Sequence, residues 1–240
     1  MEPTRESLKV KLFADGADLA GMIEMASNPY ISGLTTNPTL MKKAGITDYV
    51  KFAKDVLKEI QSKPISFEVF SDDLDEMKVQ GEKIASWGDN VYVKVPITNT
   101  LGESTNSVVR YLSSNGVKVN VTALMTNEQV SHVLEVLNPE VASCVSVFAG
   151  RIADTGRDPM PIIKECVKTL TINPKSELIW ASPRELLNVF QADALGCHII
   201  TATNDLLSKL VLVGKDLSSY SLETVQMFFN DAKSSNFNIE

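Results

Sequence analysis

Short β-branched runs recur along the chain between longer stretches with helical spacing of apolar residues. The runs at 10–14, 32–35, 65–70, 91–95, 117–122, 143–148, 178–181 and 198–201 predict strands. The stretches at 17–27, 46–61, 72–86, 104–114, 126–137, 159–170, 183–192 and 204–212 predict helices, and one more follows at 221–233. Asp72, Thr126 and Ser182 have side chains suited to N-caps, and Pro159 and Pro183 suit a first helical turn. Strict alternation of strand and helix predicts a parallel sheet. Eight such units, with no linker-like segment between them, predict one α/β domain over 1–240, a closed (β/α)8 TIM barrel with an extra C-terminal helix. An open doubly wound sheet is the competing topology, but no GxGxxG follows the first strand.

Polarity inside the strands adds a second layer. Side chains of a strand alternate between its two faces. Ser66 and Glu68 oppose Phe67 and Val69; Lys94 opposes Val93 and Val95; Lys118, Asn120 and Thr122 oppose Val119 and Val121; Ser146 and Phe148 oppose Val145 and Val147. In a barrel the valine faces would meet the helices and the polar faces would point inward. Asp15, Asn37, Glu68, Lys94, Asn120, Thr122 and Ser146 fall at or near strand C-terminal ends, where the active sites of such barrels sit.

Composition narrows the chemistry. Of 240 residues, 44% are hydrophobic and 22% charged, as in ordinary globular proteins. A net charge of −7 argues against a broad nucleic-acid footprint. No apolar run approaches the roughly 18 residues of a membrane span, and "MEPTRESLKV" lacks a signal-peptide core, so a cytoplasmic location is expected. Cys144, Cys166 and Cys197 are odd in number and widely spaced, which predicts reduced, buried packing residues. His132 and His198 form no metal-ligand spacing, so no metal site is expected. With so little histidine, acid–base work falls to carboxylates, lysine, tyrosine or water.

The segment "VYVKVPIT" (91–98) then poses a question, because Lys94 interrupts an apolar strand. Burial disfavours an ammonium unless it is paired or neutral. A neutral amine is a nucleophile that forms a Schiff base with a carbonyl, and the protonated imine is an electron sink that needs no cofactor. A structural lysine paired with Glu68 or Asp15 is the alternative.

These motifs carry a family likeness. "FADGAD" (13–18), "GLTTNPTLM" (33–41), "VYVKVPIT" (91–98), "VNVTALMT" (119–126), "SVFAGRIAD" (146–154) and "WASPRE" (180–185) together resemble the transaldolases, especially the short subfamily that includes fructose-6-phosphate aldolase. The likeness spans about 10–212 and implies a class I aldolase-like barrel with Lys94 as the Schiff-base lysine. It implies Asp15 as the acid–base group and Glu68 with Thr122 as holders of a catalytic water. Asn37, Asn120 and Ser146 match substrate-binding residues, and Arg151, Ser182 and Arg184 match the grip on a terminal phosphate. Glu68 and Phe148 resemble transaldolases, where the aldolase members have glutamine and tyrosine. Trp180 and Pro183 depart from the usual pattern and are expected to reshape the far end of the pocket.

The implied activity is transfer of a dihydroxyacetone unit from fructose 6-phosphate to erythrose 4-phosphate, without a cofactor. Alternatives are an aldolase that releases dihydroxyacetone, a sulfofructose transaldolase, and a non-catalytic sugar-phosphate-binding barrel. The expected partners are small sugar phosphates or a sulfo-sugar, with no nucleic acid and no membrane. The likeness also implies a homo-oligomer, although the apolar stripe at 221–233 reads more readily as core than as interface.

Overall fold

Eight parallel strands close in chain order, and the last pairs back onto the first. They are β1 (Lys11–Asp15), β2 (Ile31–Thr35), β3 (Ile65–Glu68), β4 (Val91–Pro96), β5 (Val119–Leu124), β6 (Ser143–Val147), β7 (Ser176–Trp180) and β8 (Ile199–Thr203). The structure, a computed structural model, describes residues 4–235. The two ends of the expected 1–240 unit, 1–3 and 236–240, lie outside the described residues. The α-helices are α1 (Leu19–Ser27), α2 (Pro38–Lys43), α3 (Tyr49–Glu59), α4 (Leu74–Ala85), α5 (Asn106–Ser114), α6 (Asn127–Leu134), α7 (Ala149–Asp154), α8 (Met160–Leu170), α9 (Leu187–Ala194), α10 (Asn204–Leu207) and α11 (Leu217–Ser234).

Strand alternation produces two cores. Val93, Val95, Val119, Val121, Val145 and Val147 are fully buried in the layer between sheet and helices. A smaller cluster fills the barrel: Phe13, Cys144, Ile179, Ala181 and Ile199, with Tyr92 and Phe148 against it. The Phe13 ring fits because β2 presents Gly33, where an added Cβ would stand 2.4 Å from Phe13 Cζ. All three cysteines are free and buried.

Several helix starts differ from expectation. α4 is capped by Asp73, which accepts from Glu76 N; Asp72 instead accepts from the backbone N–H and hydroxyl of Thr100. Thr126 does cap α6, in a capping box with Gln129. Ser182 is not an N-cap, and Pro183 is not in a helix, because α9 begins only at Leu187. Proline disfavours the helical region for the residue before it, and Ser182 takes φ +60°. Asn188 Oδ1 then accepts from the N–H groups of Arg184 and Glu185. Two short helices, α2 and α7, fall where loops were expected; each closely follows a strand whose C-terminal end carries candidate site residues.

α11 also differs from the core reading. None of its residues is buried, and Leu222, Val225, Phe228 and Phe229 are 58–66% exposed.

Candidate active site

Parallel register sets the key side chains beside one another. Asp15 pairs with Thr35, Glu68 with Lys94, and Pro96 with Thr122. At the C-terminal mouth they surround a cavity of about 450 Å³. Asp15, Asn37, Glu68, Lys94, Thr122, Ser146, Phe148, Arg151, Ser182 and Arg184 all line it.

Lys94 is 7% exposed. Its Nζ donates to the Thr36 carbonyl at 3.0 Å and stands 3.4 Å from Glu68 Oε2. The expected structural pairing therefore exists, inside the cavity and not behind it. Burial raises the Glu68 carboxyl above its ordinary value, opposed by the charge and hydrogen bond of Lys94 and reinforced by the charge of Asp15.

Asp15 does not cap α1, since Asp18 does. Its Oδ1 accepts from Thr35 Oγ1 at 2.8 Å and its Oδ2 from Asn37 Nδ2 at 3.1 Å. Thr35 Oγ1 also lies 2.6 Å from Thr201 Oγ1, so a second hydroxyl supports the first. Burial raises the Asp15 carboxyl, against the lowering effects of Lys94, Thr35 and Asn37. Asn37 serves two ends: its amide donates to Asp15, and its Oδ1 caps α2 by accepting from Leu40 N at 2.9 Å.

Asn120 departs from expectation. It is fully buried and absent from the cavity wall, because it sits near the start of β5, one layer down. Its Nδ2 donates to Ser66 Oγ at 3.0 Å and its Oδ1 accepts from Ser146 Oγ at 2.7 Å. It therefore orients Ser146 from below. Further along β5 the pairing with β6 shifts between Val121 and Leu124, and Ala123 takes φ +65°. A bulge re-aims side chains, and Thr122 and its neighbour Ala123 both line the cavity. Thr122 Oγ1 is buried with no hydrogen-bond partner among the described residues.

The far wall is built by α7 and the loop after β7. Gly150 permits their contact, since a Cβ there would lie 1.6 Å from the Ser182 carbonyl oxygen. Arg184 Nη1 donates to Ser182 Oγ at 3.0 Å. Its Nε donates to Asp154 Oδ1 at 2.9 Å, and Nη2 donates to Asp154 Oδ2. Pro183 lines the cavity, but Trp180 does not: its side chain is buried among the helices. The expectation that Trp180 shapes the pocket is corrected, because its strand position points outward.

A lysine, two carboxylates raised by burial, and two guanidinium groups thus share one mouth. The family described as Transaldolase/Fructose-6-phosphate aldolase has a model that matches residues 12–240. The chain belongs to this family. A probable transaldolase of Sulfurihydrogenibium sp. (strain YO3AOP1) is 33% identical over 203 residues, covering 84% of this chain and 88% of the relative. A probable transaldolase of Thermoanaerobacter sp. (strain X514) is 34% identical over 203 residues, covering 84% and 89%. Among solved structures, a putative dihydrodipicolinate synthase family protein from Coccidioides immitis superposes with a TM-score of 0.56 at 14% identity, covering 80% of this chain and 66% of that one. That likeness concerns the barrel alone.

Three neighbours of the candidate site residues were missed by sequence reasoning. Thr35 and Thr201 stand at the ends of predicted strands on inward faces, so the alternation rule could have found them. Asp154 stands three residues after Arg151 on α7, a helical charge spacing visible in sequence. Its partner Arg184 is 30 residues away, and only the fold brings them together. Among the described residues, no group of three or more His, Cys, Asp or Glu could hold a metal, and no helix is long and apolar enough to cross a membrane.

Proposed function

We propose that the protein is a transaldolase that carries a dihydroxyacetone unit on Lys94, from a ketose phosphate of the fructose 6-phosphate type to an aldose phosphate such as erythrose 4-phosphate. The observation that carries this reading is a buried lysine amine in the cavity wall, 3.4 Å from a carboxylate whose proton affinity is raised by burial.

Glu68 takes the proton that frees the Lys94 amine. The amine attacks the C2 carbonyl, and the carbinolamine loses water to give the imine. Thr122 Oγ1, without a partner among the described residues, offers a hydrogen bond to that water beside Glu68. Asp15, oriented by Thr35 and Asn37, takes the C4 hydroxyl proton. The C3–C4 bond breaks, its electron pair enters the imine, and an aldehyde phosphate leaves. The enamine on Lys94 then attacks the acceptor aldehyde, Asp15 returns its proton, and water releases the product. No cofactor enters these steps. Arg151, Arg184 and Ser182 hold the terminal head group, and Asn120 acts on substrate through Ser146 and not by contact.

Borohydride treatment with fructose 6-phosphate tests this. A reduced dihydroxyacetone adduct is expected on Lys94 and absent from Lys94→Ala. An adduct on any other lysine sinks the assignment. The family description also covers aldolases, and product analysis with and without erythrose 4-phosphate separates transfer from release. The carboxylate at Glu68 and the ring at Phe148 favour transfer. The exposed apolar stripe of α11 supports a homo-oligomer in which it packs on a second copy of the chain.

A further inference from the structure

Asp154 is close to the head-group clamp but not in it. Arg151, Ser182 and Arg184 line the cavity; Asp154, which does not line it, takes the Nε–Nη2 edge of the Arg184 guanidinium. An arginine has five N–H donors. Three are spent here, two on Asp154 and one on Ser182, so two remain for an anion. Arg151 and Arg184 bring +1 each to the clamp and Asp154 beside it brings −1, so the local net charge is +1. The charged groups that face Asp154 are Arg184, from the loop after β7, and Arg151, from its own helix.

We propose that Asp154 is a specificity-determining residue: acting through Arg184, it fixes the guanidinium plane and sets the clamp's charge so that dianionic head groups gain little over monoanionic ones. This rests on the reading of Arg151, Arg184 and Ser182 as the head-group clamp.

Two physical facts support it. A bidentate carboxylate holds a guanidinium in one plane, which is the specific merit of the arginine fork. A fixed negative charge on the fork repels a dianionic ligand more than a monoanionic one. The carboxyl of Asp154 is held below its ordinary value, first by the hydrogen bonds of Arg184 and also by the charges of Arg184 and Arg151, so it stays ionised at neutral pH. The clamp is built in advance: Gly150 lets α7 close on Ser182, and Ser182 holds its strained φ of +60° there.

The test uses three donors with the full-length protein: fructose 6-phosphate, its 6-sulfonate analogue and unphosphorylated fructose. A phosphate monoester gains its second charge near pH 6, whereas the sulfonate stays singly charged. The phosphate-to-sulfonate ratio of kcat/KM at one pH cancels the enzyme's own titrations. Asp154→Asn keeps an oxygen for Arg184 Nε and removes the charge. Its phosphate-to-sulfonate ratio is expected to rise on the order of three-fold at pH 7.5 and to match wild type at pH 5. The gain should appear in KM and shrink with added salt. Asp154→Ser also removes the charge, so its ratio must rise alike, while its KM for both anionic donors worsens through loss of the fixed plane. A ratio that stays at the wild-type value at both pH values overturns the role of Asp154. If wild type shows no preference for either anionic donor over fructose, the clamp reading itself fails and takes this inference with it.

Discussion

Lys94 Nζ and Glu68 Oε2 stand 3.4 Å apart on adjacent strands, at paired positions of the β3–β4 ladder. A buried ion pair and a reactive amine are often treated as rival explanations of a buried lysine. On the proposed mechanism they are one arrangement, since the carboxylate paired with Lys94 is also the base that frees its amine. Glu68→Gln keeps the shape and loses the base. Imine formation is expected to slow by about 10²–10⁴-fold, measured as the rate of borohydride-trappable adduct. Trapping at the wild-type rate would remove Glu68 from the imine chemistry.

Asp15 is expected to separate from Glu68 by reaction step. Asp15→Asn should trap sugar on Lys94 normally and cleave it about 10²–10⁴-fold more slowly. Its stability should change with the opposite sign. Burial raises the folded-state carboxyl above its unfolded value, so the folded chain holds this proton to higher pH. The stabilising contribution is present below the unfolded value, about 3.9, and is lost as pH rises through the folded value. Asparagine never ionises. Asp15→Asn should therefore melt higher than wild type at neutral pH, with the gap closing as pH falls towards 4. A gap that widens on acidification contradicts the burial argument.

What was legible in the sequence follows from which signals are local. Alternation placed Glu68, Lys94, Thr122 and Ser146 on inward faces because a strand repeats every two residues whatever surrounds it. The same rule could not give depth: Asn120 shares that face, yet β5 starts only at Val119 and leaves it below the cavity floor. Nor could it foresee the irregularity that brings both Thr122 and Ala123 to the cavity, because that depends on pairing with β6. The family motifs pointed to Arg151, Ser182 and Arg184, but the N-cap expected at Ser182 failed because Pro183 imposes a turn before α9. α11 was misread because a helical stripe of apolar residues looks alike in a core and on an exposed face.

Thr122 offers a contrast between stability and rate. Its Oγ1 is buried without a partner among the described residues, and such an oxygen costs about 1–3 kcal/mol if no water reaches it. Thr122→Val keeps the shape and removes the oxygen. Its melting temperature is expected to equal or exceed that of wild type, while imine formation slows by about 10²-fold through misplacement of the water. Equal rates would show that the hydroxyl holds nothing in the reaction.

Gly150 bears on the proposed head-group clamp through space alone. An alanine Cβ would meet the Ser182 carbonyl oxygen at 1.6 Å, so backbone must move. Gly150→Ala is expected to cost about 1–3 kcal/mol of stability, as overpacking does. The preference for fructose 6-phosphate over fructose should fall, with trapping of fructose on Lys94 unchanged. An intact preference would mean that the clamp tolerates separation of α7 from the Ser182 loop.

The last expectation concerns α11. An 18-residue helix with no buried side chain gains little from packing, and helices in proteins owe most of their stability to packing of an apolar face. Leu222, Val225, Phe228 and Phe229 are large and more than half exposed, and contiguous exposed apolar patches mark sites of association. Leu222→Glu combined with Phe229→Glu leaves the barrel core untouched, so barrel stability should shift by no more than about 0.5 kcal/mol per site. Wild type is expected to sediment as an oligomer and the double variant as a monomer. Helix content should also fall in the double variant, because α11 loses the surface that orders it. A wild-type chain that sediments as a monomer at all concentrations, with full helix content, would show that α11 stands without a second copy.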